Sequence, residues 1–183
     1  MKLKLAGLAA IVIAGVAVYQ VAPQASAGAA GPGPVPIHIR AGDDAGLTNN
    51  GVTWVGAGGY FADGDTIARP EEPISNTDNP DLYRSERYSM TKFTYPVANG
   101  KYTVKLHFSE TYEGISGPGQ RVFSFNVCGQ KTYTNFDVCA MVGHSRADIE
   151  TIPVTITNEK IEINFFPQTE NPQINGVEIL PGF

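Results

Sequence analysis

The stretch Phe93-Thr94-Tyr95-Pro96-Val97-Ala98-Asn99-Gly100-Lys101-Tyr102-Thr103-Val104-Lys105-Leu106-His107-Phe108 decides the fold class. Phe93, Tyr95 and Val97 alternate with polar residues, and so do Tyr102, Val104, Leu106 and Phe108; a period of two marks half-buried strands. Between the runs stands Asn99-Gly100, and Asn-Gly flanked by alternating apolar residues is the strongest short-range hairpin signal. The stretch therefore reads as two antiparallel strands joined by a tight turn.

The same pattern continues on both sides. Ile37 and Ile39 open one strand, and Val52, Trp54 and Val55 mark another. Downstream come Phe123, Phe125 and Val127, the turn Cys128-Gly129-Gln130, and then Tyr133, Phe136 and Val138. Ile152, Val154 and Ile156 follow, then a turn at Asn158-Glu159, then Ile161, Ile163 and Phe165, and finally Ile174, Val177 and Ile179. No segment past residue 36 holds a 3.6-residue apolar period. Seven or more short strands without intervening helices predict a single all-β domain, an antiparallel β-sandwich whose inner faces carry these side chains. Long connections at 43–51, 56–82, 109–120, 140–150 and 166–172 are more than a compact domain ordinarily carries unless some bind a ligand.

The N-terminus begins Met1-Lys2-Leu3-Lys4, runs apolar over residues 5–21 and reaches Ala25-Ser26-Ala27. This is the pattern of a signal peptide over residues 1–27, and an uncleaved anchor is the alternative. Residues 28–36 are a Gly/Pro-rich linker and 37–183 the domain. Cleavage leaves 11 basic against 18 acidic side chains, a charge of −7. Such a surface suits neither nucleic acid nor anionic lipid, so no nucleic-acid partner and no membrane association after cleavage are expected. The expected location is secreted or extracellular, or a periplasm or ER lumen. In an oxidising compartment, Cys128 and Cys139, eleven positions apart, read as a disulfide.

Several segments together resemble malectin and the malectin-like carbohydrate-binding modules. They are Ile39-Arg40-Ala41-Gly42, Leu82-Tyr83-Arg84-Ser85-Glu86-Arg87-Tyr88, Leu106-His107-Phe108-Ser109-Glu110-Thr111-Tyr112 and Gln120-Arg121-Val122-Phe123. Phe136-Asp137-Val138, Val142-Gly143-His144-Ser145 and the terminal Asn171-Pro172-Gln173-Ile174-Asn175-Gly176-Val177-Glu178-Ile179 continue the series in order. The resemblance implies a jelly-roll, galactose-binding-like sandwich that binds di- or oligosaccharides, glucan fragments by the family's preference, without catalysis or cofactor. Carried over by position, the sugar-contacting residues are Tyr88, Tyr112 and Glu170, with Tyr60 or Phe61 from the early Gly-rich loop. Glu113 stands where the family has a second aromatic, and Glu170 where it has an aspartate.

The chemistry of the side chains points the same way. A pyranose presents an apolar C–H face to an aromatic ring while its hydroxyls bond in the ring plane, and tyrosine supplies a rigid contact with a polar tip. A carboxylate such as Glu170 makes the stronger, charge-assisted bonds to adjacent hydroxyls. Tyr88 and Tyr83 also read as tyrosines at the core rim, Trp54 as a core residue, and Arg84, Glu86 and Arg87 as an ion network pinning a loop to Glu110. His107 and His144 read as sheet-surface or loop residues. No metal site is expected: the three histidines lack ligand spacing, and neither Asp43-Asp44 nor Asp63-Gly64-Asp65 has that of a calcium loop. Two other classes stay open, a glycosidase using two of Glu110, Glu113 and Glu170, and an interaction module that binds other extracellular proteins or self-assembles.

Overall fold

A computed structural model describes residues 31–183; the expected signal peptide and the first part of the linker lie outside the described residues. Among the described residues, twelve strands form two sheets. The first has the order β2 (Leu47–Asn49), β3 (Val52–Gly56), β1 (Ile37–Arg40), β12 (Gly176–Pro181), β6 (Gly100–Phe108), β9 (Asp148–Ile156). The second has the order β11 (Gln173–Ile174), β5 (Ser85–Pro96), β10 (Lys160–Thr169), β7 (Val122–Val127), β8 (Lys131–Phe136), with β4 (Phe61–Ala68) also on β5. All pairings are antiparallel except β1 with β3. The expected antiparallel sandwich is the observed one.

Alternation dictates the core. Val104, Leu106 and Phe108 from β6 and Val177 and Ile179 from β12 face Phe93, Phe123, Phe125, Ile161 and Ile163 of the other sheet, all of them buried. At one end Phe108, Phe123, Phe125 and Phe136 form an aromatic block with ring centroids 4.8–6.2 Å apart. Truncating one of these rings to alanine is worth about 3–5 kcal/mol.

The expected hairpin at Asn99-Gly100 is corrected. β5 and β6 belong to different sheets. Neither Asn99 nor Gly100 has the positive φ that a two-residue turn of the primed type needs at both positions. Instead Asn99 Oδ1 accepts from Glu159 N (2.9 Å) and Val97 N donates to Glu159 O (3.0 Å). The connections β5–β6 and β9–β10 thus cross between the sheets side by side. Of the three Asn-Gly pairs in the chain, Asn50-Gly51 makes the tight hairpin, with φ of 50° and 77° between the paired Asn49 and Val52.

The disulfide is also corrected, since Cys128 and Cys139 are free thiols. Cys128 sits in the turn before β8, whereas Cys139 lies beyond that strand in the helix α2 (Val138–Val142). Six extended residues separate the ends by roughly 20 Å, and a disulfide tolerates Cα atoms no more than about 7 Å apart. Val138, read as a strand residue, starts this helix because Asp137 Oδ1 accepts from Ala140 N and caps it.

Trp54 is buried, in a second cluster with Leu82, Tyr83 and Ala147 on the outer face of the first sheet. One residue joins that cluster, both sheets and the loops at this end. Asn175, fully buried between β11 and β12, accepts from Ser109 N through Oδ1 (2.7 Å) and donates through Nδ2 to Tyr83 O (3.1 Å) and Ser85 O (2.9 Å). Its own N–H donates to His107 O and its carbonyl accepts from Ala41 N, both at 2.9 Å. Asn175→Ala strands one buried N–H and two buried carbonyls, at roughly 1–3 kcal/mol for each orphaned group. Denaturant unfolding is expected to show a loss of about 3 kcal/mol or more; a loss below about 1 kcal/mol contradicts this role.

Candidate functional site

At the Asn175 end, side chains from five segments line a cleft of about 230 Å³: Ile67 and Arg69, Glu86 and Tyr88, Tyr112, Arg121, and Glu170 with Asn171. β5 delivers Glu86 and Tyr88 through a bulge. Ala62 pairs with Lys92 but Asp63 with Met90, so Thr91 is extra. The inward face therefore switches from odd to even numbers, from Phe93 and Tyr95 to Met90, and Tyr88 and Glu86 continue it to the mouth of the sandwich.

Tyr112 stands where β6 has run out. Its N–H donates to Glu110 Oε1 (3.0 Å), its carbonyl accepts from Ile115 N (2.9 Å), and Ile115 is buried beneath the turn. The backbone is thus pinned while the residue is left 41 % exposed. A Cβ at Gly114 would lie 2.6 Å from that ring, so a residue without a side chain is required there. The Arg69 and Arg121 guanidiniums lie 5.7 and 6.0 Å from the ring centroid.

The floor is ionic. Arg69 Nη1 is 3.4 Å from Glu86 Oε1 and donates to Thr111 Oγ1 (3.1 Å), which donates in turn to Glu86 Oε2 (3.1 Å). Arg121 Nε lies 2.8 Å from Glu110 Oε2, a charge contact rather than an aligned hydrogen bond, and its Nη1 donates to Asn171 O (3.0 Å). Both carboxylates are 1 % exposed. Burial pushes the Glu110 carboxyl above its usual range, although Arg121 and the Tyr112 N–H pull the other way. Each guanidinium is thereby matched by a buried carboxylate, and Glu170 adds an exposed negative charge, so the cleft offers no free cation to an anionic ligand. The Arg121 bond to Asn171 also steadies Glu170, which holds the left-handed conformation with φ 60°.

Of the residues expected from sequence, Tyr88, Tyr112 and Glu170 are brought together here. Tyr60, Phe61 and Glu113 are not among the lining residues. Tyr60 packs edge-on to Tyr95 at 5.0 Å, and Phe61 lies against Phe93 at 4.9 Å with the Arg87 guanidinium 5.2 Å above it. Phe93 is five residues from Tyr88, roughly 16 Å along the strand. Glu113 is exposed beside Tyr112. Sequence reasoning missed Ile67, Arg69, Arg121 and Asn171, and it placed the ion network on the wrong partners. Arg84 pairs with Asp81, Arg87 bonds the carbonyls of Ala41 and Gly64, and Glu86 and Glu110 take Arg69 and Arg121. Arg121 and Glu86 stood inside quoted motifs; Arg69 carried no signal.

A second cavity, of about 250 Å³, lies on the outer face of the first sheet over Trp54. Several of its polar side chains are committed to one another. Tyr83 Oη is 2.8 Å from His107 Nδ1, His107 Nε2 is 2.7 Å from Glu178 Oε1, Glu178 Oε2 is 3.1 Å from His38 Nδ1, and Asn49 donates to Asn79 (2.7 Å). This cavity has an exposed carboxylate, Asp78, but its one tyrosine, Tyr83, is buried; the first cavity brings an exposed tyrosine and an exposed carboxylate together.

Residues 35–178 match the Malectin domain family over most of the described chain. The chain belongs to the malectin domain family. It is 32 % identical to malectin-B of Xenopus laevis over 112 residues, 60 % of this chain and 40 % of that protein. It is 35 % identical to human malectin over 92 residues, 49 % and 31 % of the two chains. The chain thus spans less than half the length of these curated relatives. A probable LRR receptor-like serine/threonine-protein kinase of Arabidopsis thaliana is 33 % identical over 97 residues, 49 % of this chain and 10 % of the kinase. Among solved structures, the ANX1 ectodomain from Arabidopsis thaliana superposes with a TM-score of 0.66 at 18 % identity, over 79 % of this chain and 47 % of its own. A Bacteroides uniformis β-glucuronidase gives 0.73 at 19 %, over 80 % and 18 %. At these identities the structures share the sandwich fold alone. Every cleft residue falls within the malectin match. Among the described residues no helix is long and apolar enough to cross a membrane.

The outer-face carboxyl of Glu178 sets a pH dependence. Burial pushes the Glu178 carboxyl up, but the hydrogen bond from His107 and the fields of His107, Lys105 and His38 outweigh it and hold the group below the usual carboxylate range. A depressed folded-state value stabilises the fold above the unfolded value of about 4.3, and the gain is lost as pH falls through the folded value. The stability difference between wild type and Glu178→Gln, read by denaturant unfolding, is expected to be largest near neutral pH and to vanish in acid. A difference that does not change with pH contradicts this.

Proposed function

We propose that this malectin-family chain is a non-catalytic, lectin-like domain that binds a neutral di- or oligosaccharide, a glucan fragment first among them, in the Tyr88–Tyr112 cleft. The observation that carries the proposal is the Tyr112 ring, exposed on a pinned backbone and joined by Tyr88 and the Glu170 carboxylate over a floor whose charges are already paired. A sugar ring stacks on the exposed tyrosine, Tyr88 bounds its edge, and Glu170 and the Asn171 amide meet the hydroxyls. Because the site is shallow and every hydroxyl must shed water, affinity lies between about micromolar and millimolar. Export through the N-terminal signal to a lumen or the cell exterior suits such a ligand.

Glycoside hydrolysis is disfavoured because Glu110 is 1 % exposed and held by Arg121 and the Tyr112 amide, rather than standing free across the cleft from a second acid. The similarity to a plant receptor-like kinase favours a second reading, a recognition module whose loops contact protein.

A glycan array probed with residues 28–183 is expected to show a restricted set of bound glucans, with binding lost in a Tyr88→Ala/Tyr112→Ala variant that still folds. Tyr112→Ala alone is expected to weaken binding about tenfold, which corresponds to about 1.4 kcal/mol for the loss of one aromatic contact. A silent array with folded protein, or binding untouched by the double substitution, overturns the proposal in favour of the interaction module.

A further inference from the structure

Behind the cleft, a chain of three polar side chains ends on the Tyr112 backbone. His144 Nε2 is 3.2 Å from Tyr112 O, His144 Nδ1 is 2.7 Å from Ser145 Oγ, and the Ser145 hydroxyl meets Glu72 Oε1. Ser145 N also donates to Glu110 O (2.8 Å), which ties this segment to the residue holding the Tyr112 amide.

The protons in this chain can be counted. A carbonyl only accepts, so Nε2 must carry a hydrogen to bond Tyr112 O. The Ser145 hydroxyl has one proton, and a carboxylate only accepts, so that proton goes to Glu72. Ser145 Oγ is then left to accept, and Nδ1 must donate to it. With Glu72 ionised, all three bonds are made together only when both ring nitrogens bear hydrogen, that is, by the imidazolium. Loss of a proton breaks one of two links. Either His144 releases the Tyr112 carbonyl, or Ser145 turns its proton away from Glu72.

The surroundings suit a cation. Glu72 lies at the far end of the chain, and the buried Glu110 carboxylate lies close enough for His144 to act on its ionisation. Arg121 is already taken by Glu110, while Arg146 and Cys139 are the other ionisable groups on the His144 segment.

We propose that His144, acting through Tyr112 and held by Ser145 and Glu72, is a positioning residue of the sugar site, and that its protonation tunes affinity. The inference rests on the sugar reading for its effect on binding, though not for its effect on the loop. Glu110 fixes the Tyr112 N–H and protonated His144 the Tyr112 carbonyl, so the ring is presented with little freedom left to lose on binding. When the proton that leaves is the one on Nε2, the Tyr112 carbonyl is left to the Ile115 N–H alone, and the sugar must order more of the loop itself. One net hydrogen bond of this kind corresponds to about a fivefold change in affinity.

The test is a pH titration of the ¹⁵N-labelled chain by NMR, following the His144 ring nitrogens and the Tyr112 and Ile115 amides, in wild type, His144→Gln and Ser145→Ala. Glucan affinity is measured at both ends of the range. Expected are protonated shifts at both ring nitrogens at the acid end, and loop amides that follow the His144 curve in wild type but are flat in His144→Gln. Affinity is expected to fall about fivefold with rising pH in wild type and to stay constant in His144→Gln. Loop amides that ignore the His144 titration, or move equally in His144→Gln, overturn the proposal, as does wild-type affinity that stays flat while His144 titrates. Ser145→Ala, which removes the Nδ1 acceptor but not the Tyr112 contact, is expected to uncouple the Tyr112 and Ile115 amides from the His144 curve; amides that still follow it as in wild type contradict the proton count. If no glucan binds at any pH while the amides still follow His144, the clamp stands and the sugar reading falls.

Discussion

The geometry of the cleft depends on one buried amide. Asn175 holds the start of β5 through Ser85 O, the exit of β6 through Ser109 N and His107 O, and the end of β1 through Ala41 N. Each restraint leads within a few residues to the site. Three residues beyond Ser85 comes Tyr88, three beyond Ser109 comes Tyr112, and Asn171 precedes Asn175 by four. The Asn175 backbone makes the bonds to His107 O and Ala41 N, while its side chain, with two donors and a two-lone-pair acceptor, answers Tyr83 O, Ser85 O and Ser109 N, three buried groups that an apolar side chain would strand. That requirement makes the position specific to asparagine.

On this frame the sandwich solves an electrostatic problem. Glu86 and Glu110 are almost wholly buried beneath the cleft, and buried carboxylates are tolerated only when paired and hydrogen-bonded. Arg69 and Arg121 answer them, and in doing so reach other groups: Thr111, the Asn171 carbonyl and the neighbourhood of the Tyr112 ring. Neutralising the floor also aims the walls. The residual exposed groups are the Tyr112 ring, the half-buried Tyr88, the apolar Ile67, the Asn171 amide and one carboxylate, a set matched to a polyhydroxylated neutral ring rather than to a phosphate or a sulfate.

Much of this was legible in the sequence, for identifiable reasons. Period-two runs such as Tyr102-Val104-Leu106-Phe108 located the core strands because one face of each is buried. The resemblance placed Tyr88, Tyr112 and Glu170. β4 was not legible: its segment Phe61–Ala68 is largely exposed, alternates nothing, and bends at Gly64, where a Cβ would lie 2.4 Å from Tyr88 O. Asn99-Gly100 misled because the local turn signal says nothing about whether two strands share a sheet, and here a contact with Glu159, sixty residues away, decided it. The cysteines misled for the opposite reason: compartment and spacing suggested a bridge, while an intervening extended strand keeps the thiols at its two ends. Arg69 and Arg121 escaped because an ion pair formed across 17 or 11 residues leaves no periodic trace.

The central claim is that one end of this sandwich, built on Asn175 and floored by two buried ion pairs, is a sugar site. Its most direct test is a map of amide shifts in the ¹⁵N-labelled protein during titration with a series of gluco-oligosaccharides. The account predicts saturable shifts confined to Tyr88, Tyr112, Arg121, Glu170, Asn171 and their neighbours. Shifts centred instead on Trp54, His38 and Asn79 around the outer-face cavity, or no shifts with any member of the series, would contradict it.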